Sequence, residues 1–235
     1  MRVNGTKRRR KRRDRPAEQR DKGMQPVDQF PGTIVHLISG AGDRYCGSCL
    51  FASTLVKALQ AAGCRSVVYP LYTPVHSDIR LAPDGPLFFG GVNVYLQQRF
   101  ALFRKTPRWL DAWFDRPRLL LRLGGASAEG SKTTGDILLS MLAGEEGCQR
   151  KELHRLLRAL EANEVPAIVH LSNALLLGIA EGVRRRLGTP VVCSLSGEDG
   201  FLATLPGAIA ERARRRMTQL VEHVDAFVAV CPSYA

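Results

Sequence analysis

At 235 residues the chain is long enough for one large domain or two small ones, with a substantial core. A hydrophobic content of 45% and a charged content of 24% are ordinary for a globular chain; no apolar run reaches the roughly 18 residues of a membrane span, and no apolar segment follows the N-terminal charges as a secretory signal requires. The formal net charge is +12, and it is unevenly placed: residues 1–22 hold eleven Lys/Arg against three Asp/Glu, a surplus of +8 that leaves only +4 for the rest.

The surplus centres on Lys7-Arg-Arg-Arg-Lys-Arg-Arg13. Such a block repels itself and offers nothing to bury, so residues 1–32 read as a disordered basic tail and lead-in. Nucleic acid or an anionic membrane surface would attract it; a solubilising tail, or an over-extended start with Met24 as the alternative, explains it equally. Six cysteines are too few and too scattered for a disulfide scaffold, which points to a reducing cytoplasm. Cys193 and Cys231 fall in apolar runs and read as small buried hydrophobes.

The first strand candidate is Thr33–Ile38, a short apolar run. The stretch Ser39-Gly-Ala-Gly-Asp-Arg-Tyr-Cys-Gly-Ser-Cys49 follows, then a helical pattern over Ser48–Ala62. Strand, glycine turn and helix is how an open α/β sheet builds a ligand cleft at a strand's carboxyl end, where free N–H groups favour an anionic or polar ligand. Gly40, Gly42, Asp43, Arg44 and Gly47 are the candidate residues of this turn. A dinucleotide fingerprint needs a third glycine where Tyr45 stands, and a phosphate loop needs a lysine where Ser48 stands. A tight turn without a ligand is the alternative. Cys46 and Cys49 form a C-x-x-C at a helix start, a position that suits redox chemistry; packed thiols are the plainer reading, and a zinc site lacks its second pair.

Further strand candidates are Ser66–Leu71, Leu87–Tyr95, Ala167–Leu171, Pro190–Leu195 and Asp225–Val230. They are short and mostly not alternating, as in a parallel sheet buried on both faces. Residues 72–86, with three prolines, read as a loop. Residues 96–135, with Trp109, Trp113, Pro107 and Pro117, read as a helical insertion over the sheet's carboxyl edge. Helical patterns follow at Asp136–Leu160, interrupted by Gly144 and Gly147, at Ala174–Leu187 and at Gly207–His223. The whole predicts a Rossmann-like, doubly wound, mostly parallel sheet of six strands in a three-layer α/β/α domain over residues 33–235.

In that topology three strand ends meet at one cleft: Gly40–Cys49, His170-Leu-Ser-Asn173 and Ser194-Leu-Ser-Gly-Glu-Asp-Gly-Phe201. Glu198 and Asp199 are adjacent carboxylates on a glycine-flanked loop. One can serve as a general base or orient sugar hydroxyls; helix capping and first-turn charge are the alternative. Asn173 reads as a helix cap or a ligand for a hydroxyl. His170 reads as a satisfied core histidine or a cleft base.

Several strings together resemble the N-terminal half of bacterial family 4 glycosyltransferases: the Gly40–Cys49 turn, Pro70-Leu-Tyr-Thr-Pro74, Phe88-Phe-Gly-Gly-Val-Asn-Val-Tyr-Leu-Gln-Gln98, Pro107-Arg-Trp-Leu-Asp111, Gly144-Glu-Glu-Gly147, His170-Leu-Ser-Asn-Ala-Leu-Leu176 and Ser194–Phe201. The likeness spans about Thr33 to Ala235. It implies the acceptor-side domain of a GT-B enzyme that moves a sugar from a nucleotide-sugar donor to a hydroxyl acceptor, carbohydrate or lipid-linked. It implies no metal and no cofactor beyond that co-substrate. Gly40, Gly42, Asp43, Arg44 and Gly47 would then approach donor phosphates and acceptor. Ser172, Asn173, Ser196 and Gly197 would line the acceptor side, with Glu198 and Asp199 as catalytic candidates. In many members a histidine follows the fourth or fifth strand; here those positions hold Ser172/Asn173 and Gly197/Glu198. The chain stops where that family continues into the donor domain, so it is expected to be a truncated enzyme or a half enzyme whose partner is a separate donor-domain polypeptide. This chain alone is expected to be inactive, cytoplasmic, and peripheral at the inner membrane face if the acceptor is lipid-linked. A stand-alone carbohydrate-binding or partner module, or a thiol-redox protein using Cys46 and Cys49, are the other readings.

Overall fold

The computed structural model describes residues 30–39, 47–72, 88–90, 94, 97–98, 103, 131–232 and 234. Strand β1 (Thr33–Ser39) leads to helix α1 (Gly47–Ala61) and strand β2 (Arg65–Leu71). Helices α2 (Ser131–Leu142) and α3 (Arg150–Ala162) precede β3 (Ile168–Leu171). Then come α4 (Ala180–Leu187), β4 (Val191–Leu195), α5 (Glu198–Ala203), α6 (Gly207–Leu220) and β5 (Ala226–Ala229).

The five strands form one parallel sheet in the order β2-β1-β3-β4-β5. The chain steps outward from β1 to β2, then returns past β1 and proceeds the other way. Right-handed crossovers therefore put α1 on one face and the later helices on the other. The side chains record this division. Ile38 and Val68 pack under Ala52 and Val56 of α1. Val35, Leu37, Leu71, Val169, Leu171, Val191 and Cys193 point the opposite way, into the main core. The doubly wound, three-layer α/β/α architecture read from the sequence is the one observed.

Helix α3 shows why the large face holds together. Leu153, Leu156, Leu157 and Leu160 recur at helical spacing and are all buried. Each buried leucine contributes about 1.5–3 kcal/mol of hydrophobic stabilisation. The interruption expected at Gly144 and Gly147 separates α2 from α3 through a 3-10 turn, Gly144–Glu146. The glycines there are steric necessities. A Cβ on Gly178 would stand 2.0 Å from the Met141 carbonyl oxygen, one on Gly144 2.6 Å from that of Gly178, and one on Gly147 2.0 Å from that of Ser140. The Gly144-Glu-Glu-Gly147 string thus lets the end of α2 touch the backbone leading into α4.

Two expectations are corrected. The described residues of Leu87–Tyr95, 88–90 and 94, form no sixth strand: only Phe88 pairs, in a single bridge to Leu71. Phe89 has a φ of +54°, which turns the chain out of extended geometry before a ladder can grow. The Phe89 N–H then donates to the buried Glu152 carboxylate of α3 at 3.3 Å. The glycine-flanked loop carrying Glu198 and Asp199 is instead the first turn of α5. Residues 1–29 and 73–87 and most of the 96–135 insertion lie outside the described residues; 131–135 belong to α2. Among the described residues no helix is long and apolar enough to cross a membrane.

Candidate functional site at the switch point

Strands β1 and β3 are neighbours whose onward connections leave in opposite directions. The gap outside their carboxyl ends is where open α/β sheets bind ligands. Ser39 ends β1, and Ser172 and Asn173 follow β3. The Ser39 N–H donates to Ser172 Oγ at 3.3 Å, and Asn173 Nδ2 donates to Ser39 Oγ at 2.7 Å. Asn173 also caps the following 3-10 turn, its Oδ1 accepting from the Leu175 N–H at 3.1 Å. Its capping role and its place at the cleft therefore coexist. Ser196, beyond β4, donates through Oγ to the Ser172 carbonyl at 3.4 Å. Ser172, Asn173 and Ser196 are thus brought together in one uncharged row of hydroxyl and amide groups.

The two carboxylates part company. Glu198 is 7% exposed. Its Oε1 accepts from the Ala174 N–H at 2.7 Å; its Oε2 accepts from the Ser196 N–H at 2.8 Å and the Tyr234 hydroxyl at 3.1 Å. It ties the exits of β3, β4 and β5 to one another. Asp199 is exposed and lies 2.9 Å from the Tyr234 hydroxyl through Oδ1. That bond, with a backbone N–H from Gly200, holds its carboxyl below the usual range. Tyr234 in turn accepts from the Gly197 N–H at 2.8 Å. Burial and the Asp199 contact push its phenol up. Gly197 has a φ of +94°, which a side chain would resist, and this bend swings the two acids to opposite surroundings.

Beneath this row lies a second one. His36 of β1 and His170 of β3 are in register, with their Nδ1 atoms 3.0 Å apart. His170 Nε2 is 2.8 Å from Ser194 Oγ on β4. Burial depresses both imidazoles, His36 to about 3, with a contribution from His170, and His170 to about 4. Of the alternatives for His170, the buried core position is the one observed; it lies under the crevice and out of reach of a ligand there. Among the described residues no three or more His, Cys, Asp or Glu gather as metal ligands.

Gly47 is the first residue of α1. Gly40, Gly42, Asp43, Arg44 and Cys46 lie outside the described residues, as does the side chain of Cys49. Sequence reasoning missed Ser39, His36 and Tyr234 as site components. His36 carried one available signal, its position in β1 opposite the His170 of a paired strand; Tyr234 carried none, since its partners lie 35–37 residues away. A scan of protein-family models finds no match to this chain, and a search of curated proteins finds none either.

Proposed function

We propose that the crevice between β1 and β3 binds a hydroxyl-bearing acceptor, and that the chain is the acceptor-side domain for glycosyl transfer from a nucleotide sugar. The observation that carries this reading is the Ser39–Asn173–Ser172 cluster at the switch point. Its groups are uncharged donors and acceptors, suited to a sugar or other polyol. The resemblance to family 4 glycosyltransferases supplies the reaction class. By that resemblance, backbone N–H groups of the Gly40–Gly47 stretch would approach the leaving diphosphate. Asp199 is the rim carboxylate open to an acceptor hydroxyl, and Glu198 positions the loop. The compartment in this reading is a reducing cytoplasm.

One observation favours binding without chemistry by this chain alone. Both Glu198 oxygens are already occupied, which leaves Asp199 as the only one of the two acids open at the rim. The two readings share one test. Backbone amides are followed by NMR while methyl α-D-glucopyranoside, then UDP-glucose, is added. Shifts centred on Ser39, Ser172, Asn173 and Gly197 are expected. Saturable shifts confined to other surfaces, or none with either probe, would sink the proposal; sugar transfer by the chain alone would overturn binding without chemistry.

A further inference from the structure

The four ring nitrogens of His36 and His170 can be accounted for one by one. The 3.0 Å contact between the two Nδ1 atoms needs one proton, not two and not none. The neutral pair holds a second ring proton, on one of the two Nε2 atoms. His170 Nε2 has Ser194 Oγ at 2.8 Å to receive it. His36 Nε2 is buried and has no partner among the described residues. An orphaned buried N–H costs more than an unfilled acceptor lone pair. The proton therefore sits on His170 Nε2. His170 Nδ1 is then bare, so His36 Nδ1 carries the bridging proton. Only this arrangement gives both ring N–H groups of the neutral pair an acceptor.

A third ring proton has no good place. With both Nδ1 atoms protonated, two N–H groups would face each other at 3.0 Å. The remaining choice puts the proton on His36 Nε2, an unpartnered donor in an apolar layer. We propose that the His36–His170–Ser194 chain is a proton-sensitive clasp beneath the crevice, closed while both imidazoles are neutral and released locally when either takes up a proton. The chain binds β1, β3 and β4 to one another on the face that α1 covers. Ser172 lies two residues beyond His170 and Ser196 two beyond Ser194, so the crevice row sits one step along the same strands. Among the described residues of the neighbouring strands and of α1, none on this face is charged. On this sheet face β2 contributes Ser66, Val68 and Pro70, β4 Val192 and Ser194, and β5 Ala226 and Val228. Helix α1 contributes Ala52, Ser53 and Val56. The nearest acid along β4 is Glu198, already bonded to Ala174, Ser196 and Tyr234.

The test is long-range nitrogen–proton NMR of the histidine rings in the full chain, with amide hydrogen exchange, between pH 7 and pH 3. At pH 7 His36 should show the Nδ1–H tautomer and His170 the Nε2–H tautomer. On acidification both should stay neutral well below 6.5, and their protonation should coincide with loss of protection at the amides of Ser39 and Ser172. The amides of Leu156 and Ala213, in the helices of the opposite face, should stay protected at that pH. Ser194→Ala, which keeps the packing, should abolish the tautomer preference and give averaged ring shifts. Like tautomers at pH 7, titration of either ring near 6.5, protonation with unchanged crevice amides, simultaneous loss at Leu156 and Ala213, or an unchanged preference in the Ser194→Ala chain would each overturn the clasp.

Discussion

The Glu198 carboxylate accepts the Ala174 N–H at 2.7 Å, joining the first turn of α5 to the first residue after Asn173. Removing it takes the Glu198 acceptor from the N–H groups of Ala174 and Ser196. Each such loss costs about 1–3 kcal/mol when the group stays dry. Glu198→Ala should therefore lower the unfolding free energy by about 2–5 kcal/mol, read from denaturant midpoints. Glu198→Gln should recover only part of this, since its NH2 group must face one of the two donors. Asp199→Asn, at the exposed neighbour, should leave the midpoint where it is. Equal effects at the two positions would mean that Glu198 does not hold the loop.

Acid should weaken the fold through the buried histidines. Their folded values, about 3 for His36 and about 4 for His170, lie below the ordinary value of 6.5. Between those limits the unfolded chain binds more protons than the folded one, so stability falls as pH falls. It is fully present above 6.5 and drains away between 6.5 and about 3, the His170 share by about 4 and the His36 share by about 3. The slope is at most about 1.4 kcal/mol per pH unit for each histidine, less once local opening relieves the strain. Urea unfolding at a series of pH values measures it. A flat profile from pH 7 to pH 4.5 would show that the imidazoles titrate as freely in the folded chain as in the unfolded one.

How far the sequence reveals this molecule differs from element to element. The strands of the sheet are legible because β1, β3 and β4 are largely buried and so read as short, mostly apolar runs without alternation. Helix α3 is legible from its leucine stripe, and the break before it from Gly144 and Gly147. The false sixth strand has the same apolar composition, and what defeats it is the backbone turn at Phe89, which no side-chain pattern announces. At the crevice, Ser172, Asn173 and Ser196 follow from topology, because strand carboxyl ends must converge there. The separation of Glu198 from Asp199 does not follow. Two adjacent acids look alike in a sequence, and only the +94° φ of Gly197 and the reach of Tyr234 decide which one is buried.

Backbone contact between α2 and the turn after β3 gives a contrast between two glycines. A Cβ at Gly178 would lie 2.0 Å from the Met141 carbonyl oxygen and 2.9 Å from the Leu142 Cα, neither of which can rotate away. Gly178→Ala should cost at least about 1–3 kcal/mol, in the manner of an overpacked core, and should also disturb the Asn173 cap a turn away. Gly200 lies within α5 with nothing inside 4 Å of its Cβ position. Gly200→Ala should be neutral or stabilise by up to about 1 kcal/mol, because alanine is the better helix former. Thermal unfolding of the two variants compares them directly. If Gly178→Ala proved as harmless as Gly200→Ala, the close approach of the two backbones would be wrong.

The cysteines should differ sharply in reactivity. Cys193 is fully buried on β4, and burial, with the negative charge of Glu198 adding to it, pushes its thiol up to about 12. Almost none of it is thiolate at pH 8, and reagent cannot reach what there is. Cys64 is buried as well, whereas Cys231, read from its apolar run as buried, is exposed because it follows the edge strand β5. Iodoacetamide at pH 8 should therefore modify Cys231 within minutes and leave Cys193 and Cys64 untouched until denaturant is added, as peptide mass spectrometry would show. The same digest reads Cys46 and Cys49. Thiols activated for redox work at the start of α1 should be alkylated faster than Cys231; packed thiols should react more slowly than it does. Rapid labelling of Cys193 in the folded chain would contradict its place in the main core and, with it, the face assigned to alternate residues of β4.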